Sequence, residues 1–77
     1  MKFETSELVD AALMFMRTGK EPTCTFDRRR YCCFKWSGVS QADIDFVNGS
    51  PEVNARTFNK ALVDIKTLMY SQRDGKR

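Results

Sequence analysis

Residues 23–36 read TCTFDRRRYCCFKW: two runs rich in Thr, Phe, Tyr, Cys and Trp on either side of a charged interruption at residues 27–30. β-Branched and aromatic residues favour strands, and a polar break between two such runs reads as a hairpin. Its register follows from burial. A three-residue loop of Arg28, Arg29 and Arg30 pairs Phe26 with Cys32 and Cys24 with Phe34, which puts these four and Trp36 on one face. The other face is Thr25, Asp27, Tyr31, Cys33 and Lys35. A two-residue loop would set Cys24 and Phe26 against Cys33 and Tyr31 and split the apolar set, so the three-residue loop is expected. Such a loop usually has Gly or Asn at its left-handed position, where only Arg is present here, so the tip is expected to be mildly strained or longer.

On the N-terminal side, Leu8, Ala12, Phe15 and Met16 recur at helical spacing, with Val9 and Leu13 widening the stripe and Glu7, Asp10, Met14 and Arg17 on the other side. A helix over residues 6–18 is predicted, capped by a hydroxyl residue and closed by Gly19. Past Ser37-Gly38, Ser40 and Asp43 have the spacing of a capping box for a short helix that carries Ile44, Phe46 and Val47 and stops at Asn48-Gly49. Ser50-Pro51-Glu52 then reads as cap, first-turn proline and first-turn acid of a long helix with a stripe of Phe58, Ala61, Leu62, Ile65, Leu68 and Met69. Residues 72–77 read as a frayed basic tail. The order of helix, hairpin, short helix and long helix predicts a small α+β domain, its longer helices covering one face of the ribbon.

The chain has 77 residues, 42% hydrophobic and 30% charged, which is one domain with a small core. Phe15, Phe26, Phe34, Trp36, Phe46 and Phe58 are expected to fill that core, leaving Tyr31, Tyr70 and Phe3 for contacts. The N-terminal residues have no export pattern and no apolar run approaches the length of a membrane span. Three cysteines, two of them adjacent, make a poor disulfide framework. A cytoplasmic protein is expected, and Asn48-Gly49-Ser50 is read as a turn rather than a glycosylation site. Net charge is +3 but alternates along the chain: −1 over residues 1–19, +3 over 20–39, −3 over 40–52 and +4 over 53–77.

Histidine is absent, which removes the commonest general base near neutral pH, and no enzymatic activity is expected. Asp43 and Asp45 lie two apart on a helix and so face different ways, an arrangement suited to capping rather than acid–base work. Cys24, Cys32 and Cys33 lack the spacing of zinc ligands, and neighbours on a strand point to opposite faces, so no metal or other cofactor is expected. Cys33 beside the arginines is the sole basis for a redox reading.

Arg28, Arg29 and Arg30 with Tyr31 and Lys35 form the most pointed feature of the chain. Guanidiniums present donor forks to carboxylate or phosphate, and an adjacent aromatic can fill a pocket. The bland alternative is a solubilising turn with its arginines held by Asp27 or by the acidic short helix. The leading expectation is a binding module that regulates or inhibits a larger protein by covering its surface. Small accessory proteins of phages and mobile elements, which often have this size and lack catalytic equipment, offer an analogy. The alternative is nucleic-acid binding through the same tip, with a secondary basic surface of Arg56, Lys60, Lys66 and Arg73. Either would act as a monomer or a homodimer, with no membrane partner.

Overall fold

From Cys32 to Ser37 buried side chains alternate with more accessible ones: Cys32, Phe34 and Trp36 are buried, Cys33 is half-buried, Lys35 and Ser37 are exposed. That alternation belongs to a strand with one face on a core and the other open. In the computed structural model, which describes residues 1–29 and 31–74 with the side chains of Arg73 and Asp74 excepted, the element order is β1 (Lys2–Thr5), α1 (Leu8–Thr18), β2 (Thr23–Phe26), β3 (Cys32–Ser37), α2 (Gln41–Asn48) and α3 (Ala55–Asp74). The domain is α+β, with the expected hairpin, short helix and long C-terminal helix, and with the helices on one side of the sheet.

The hairpin has the register that burial demands: Cys24 opposes Phe34 and Phe26 opposes Cys32. The ribbon is not two-stranded, however. Residues 2–5 form a third antiparallel strand on the far edge of β3, giving the order β1-β3-β2, with Phe3 opposite Trp36 and Thr5 opposite Phe34. Phe3, expected to be free for contacts, instead lies half-buried with its ring 6.1 Å from that of Trp36. Val39 N–H donates to the Met1 carbonyl at 3.2 Å and ties the start of β1 to the end of β3. A third strand gives the sheet the minimum width for a stable hydrophobic face.

Strand β1 also moves the start of α1. Thr5 Oγ1 accepts the Glu7 N–H at 3.0 Å, so the expected hydroxyl acts in the strand-to-helix turn, and the helix begins at Leu8 with no side-chain cap. Gly19 closes it in the left-handed conformation, φ 70°, its N–H on the Phe15 carbonyl. The buried arc of α1 is rotated from the stripe that spacing suggests. Met14, expected on the solvent side, is 0% exposed, whereas Val9, expected in the stripe, is 53% exposed. The cause is position: α1 packs against α3, α2 and β1, so a single apolar stripe is too narrow to describe it.

Ser40 and Asp43 form the expected capping box of α2. The helix stops at Gly49, which is not left-handed and whose N–H donates to the Asp45 carbonyl at 2.9 Å. Ser50 takes the left-handed conformation instead, φ 51°. It therefore cannot cap α3 as expected. Asn54 does: its Oδ1 accepts the Arg56 N–H at 3.0 Å and the Thr57 N–H at 3.1 Å. The stripe of α3 then packs on the core as its spacing predicts, with Ala61 and Ile65 buried. Residues 72–74, read as tail, continue the helix, and residues 75–77 lie outside the described residues. Asn54→Ala will cost about 1 kcal/mol, a fall in melting temperature of about 4–8 °C for a domain of this size. Ser50→Gly will cause no loss. Thermal unfolding followed by circular dichroism checks both, and the reverse ranking would return the cap to Ser50.

Candidate functional site

The hairpin tip is built on its own backbone. Asp27 N–H donates to the Tyr31 carbonyl at 3.1 Å, and Asp27 Oδ1 accepts the Arg29 N–H at 2.8 Å and the Tyr31 N–H at 3.1 Å. One carboxylate thus holds two loop amides, the action of an Asx turn. Asp27 restrains the loop through its backbone rather than by pairing with guanidiniums. Among the described residues, Arg28 and Arg29 are exposed and make no ion pair. Arg30, at the centre of the expected site, lies outside the described residues. Tyr31 is 66% exposed at the mouth of the loop.

Below the tip, Cys33 and Lys35 follow one another on the open face of β3, Cys33 half-buried and Lys35 exposed, and the exposed Tyr31 directly precedes the strand. Four residues of strand separate Tyr31 from Lys35 by roughly 13 Å, so Lys35 is a separate point on the sheet face. It stands between Glu4 of β1 and Thr23 of β2 in the register. Lys2 and Glu4 therefore belong to this face as well, and sequence reasoning missed both. The signal available was the alternation of Lys2, Phe3, Glu4 and Thr5.

The acidic short helix does not reach the arginines. Asp43 accepts from the Ser40 backbone N–H at 3.0 Å and from Arg17 Nε at 2.9 Å, and these contacts, the backbone one first, hold its carboxyl below the ordinary 3.8. Arg17 also lies over the Phe46 ring, 5.3 Å from its centroid. Asp45 accepts from Gln41 Nε2 at 2.9 Å. Both carboxylates are thus engaged within α2 and its junction with α1.

The secondary basic residues all belong to α3. Arg56, Lys60 and Lys66 are exposed on α3, and Lys60 pairs with Asp64 at 3.2 Å. Lys60 and Gly19 border one hollow, and the next residue, Lys20, accepts the Trp36 indole N–H at its carbonyl, 2.8 Å. Trp36 is five residues along β3 from Tyr31, roughly 17 Å. Lys60 therefore belongs to the end of the sheet away from the tip. Arg73 is in the last turn of α3.

Cys24 and Cys32 share the inner face, Cys32 buried and Cys24 half-buried against the core, while Cys33 is on the other face. Burial first, then the neighbouring Cys24 and Cys33 thiols, push the Cys32 thiol up to about 12, and burial also raises that of Cys24. Among the described residues, no group of three or more His, Cys, Asp or Glu is gathered as a metal site would require, and no helix is long and apolar enough to cross a membrane. Comparison of the chain with protein-family models, with curated proteins and with solved structures finds no match. What geometry defines is a class: a small α+β domain whose three-stranded sheet is covered on one face and projects a held Arg/Tyr loop.

With a thiol near 12, Cys32 is thiolate in only about one molecule in ten thousand at pH 8. Iodoacetamide at that pH will label Cys32 in the folded chain at least about a hundredfold more slowly than in urea, measured by peptide mass spectrometry. Labelling at the unfolded rate with the fold intact would remove Cys32 from the inner face.

Proposed function

We propose that the chain is a non-catalytic binding module, acting inside a cell, that regulates or inhibits a larger protein by occupying its surface, with the hairpin tip as the contact. The observation that carries this reading is the Asp27 carboxylate on two loop amides beside two unpaired, exposed arginines and an exposed tyrosine. A loop already held in place loses little further entropy on binding. Arginine and tyrosine are the residue types that dominate binding energy at interfaces, through charge-assisted forks and a large amphipathic ring. The complementary surface carries carboxylates around a pocket for the Tyr31 ring.

A solubilising turn has no need of an ordered backbone, whereas here Asp27 spends its carboxylate on that order. For chemistry the chain offers little: it has no histidine, and Asp43 and Asp45 already have partners.

The test is capture from a native lysate by the wild-type chain and by a triple variant, Arg28→Ala with Arg29→Ala and Arg30→Ala, each with and without nuclease. Binding of the identified partner is then measured with purified components. A protein recovered after nuclease treatment, bound at least about tenfold more weakly by the folded triple variant, is the expected result. Undiminished binding by that variant would leave the tip a solvated turn. Recovery that vanishes with nuclease, and affinity that falls steeply with salt, would replace this reading with nucleic-acid binding.

A further inference from the structure

The acidic segment that the tip does not use leads into a second feature. The loop between α2 and α3 borders an apolar hollow of about 320 Å³, lined by Val9 and Leu13 of α1, Val47 of α2, Pro51 and Val53 of the loop, and Phe58 of α3. Val9 stands at its mouth more than half in water. Covering Val9 and filling the hollow would remove apolar surface from water, at roughly 25 cal/mol per Å².

The lining includes one acidic residue, and a second lies next to lining residues in the chain. Asp10 lines the hollow, and Glu52 stands exposed between Pro51 and Val53. Among the described residues neither carboxylate has an ion-pair partner. The loop that carries Pro51 and Val53 is also held in a costly shape. Ser50, at φ 51°, is the sole non-glycine residue with positive φ among those described, a conformation that costs an L-residue roughly 1–2 kcal/mol. Such strain persists where the surroundings over-determine it, and it gathers at clamps and binding sites.

We propose that this hollow is a docking site for a basic segment of a partner protein, which inserts one large apolar side chain while its flanking Lys or Arg residues lie on Asp10 and Glu52. The volume is at the lower limit of small-molecule pockets and suits a single side chain. The unpaired carboxylates select the sign of the flanking charge and repel phosphate or an acidic peptide. The site is independent of the hairpin tip.

The probe is a short blocked peptide with one Phe flanked on both sides by lysines, beside two controls: the same peptide with Phe replaced by Ala, and with the lysines replaced by Glu. Each is titrated into the full-length chain labelled with ¹⁵N, and affinities are read by fluorescence anisotropy. Saturable binding with shifts centred on Val9, Val47 and Val53 is expected. It should weaken at least about tenfold with the Ala peptide and with the Asp10→Asn, Glu52→Gln double variant, vanish with the Glu peptide, and persist unchanged in the triple tip variant. Circular dichroism confirms that the near-isosteric double variant is folded. Absence of binding, equal binding of the Phe and Ala peptides, shifts centred elsewhere, or indifference to the double variant would each overturn the proposal. So would concentration-dependent sedimentation of the unliganded chain that the double variant abolishes, which would assign the hollow to a second copy.

Discussion

The burial of one face of β3 is the constraint on which the rest of the molecule depends. Phe34 is 1% exposed at the centre of the core, and Cys32 and Trp36 flank it on the same side of the strand. Because side chains alternate, a slip of one residue would carry all three to the open face. Loss of a buried Phe ring typically costs about 3–5 kcal/mol, against a total stability of about 4–12 kcal/mol for a domain of this length. Fixing β3 in this way fixes its neighbours. Phe26 and Cys24 must oppose it from β2, Phe3 must oppose Trp36 from β1, and the Trp36 indole reaches the Lys20 carbonyl to anchor the segment after α1.

The same constraint shapes the exposed side. With the apolar residues of β3 committed inward, Tyr31 and Lys35 are carried outward, and the loop between the strands projects past the edge of the core. Asp27 then turns that loop from a flexible crossing into a held one. The polarity of the surface follows the alternation of charge in the chain, with the arginine tip at one place and the carboxylates of residues 43–52 at another. Asp43 and Asp45 are engaged within α2 and at its junction with α1, on which α2 packs, rather than with the tip.

Much of this was legible in the residues. The hairpin register followed from asking which pairing buries Cys24, Phe26, Phe34 and Trp36 together, a question that needs no structure. Gly19 as the close of α1 and the Ser40/Asp43 box of α2 were equally readable, since each is a contact between residues a few positions apart. The tip's residue types were visible too, but the role of Asp27 was not, because its carboxylate could equally have paired with a guanidinium. Elements defined by distant partners were misread. Strand β1 is four residues whose partners lie about thirty positions away, so the alternation of Lys2 to Thr5 did not by itself show that Lys2 and Glu4 share a face with Lys35. Ser50, followed by Pro51 and Glu52, read as the cap of α3, but it is left-handed and the helix starts at Ala55, capped by Asn54.

Parity, capping and charge order are local properties, and the chain carries them in its residues: an inward Phe34, an outward Tyr31, a closed α1, a capped α2 and alternating sign. Which side of α1 meets water, which edge of β3 is covered, and which carboxylates remain unpaired are decided only when the elements pack. Met14 is buried and Val9 exposed because α1 is enclosed on several sides at once, a circumstance that no periodicity within the helix encodes. The hollow beside Val9 exists for the same reason: its lining comes from three helices and a loop whose meeting is a matter of long-range burial.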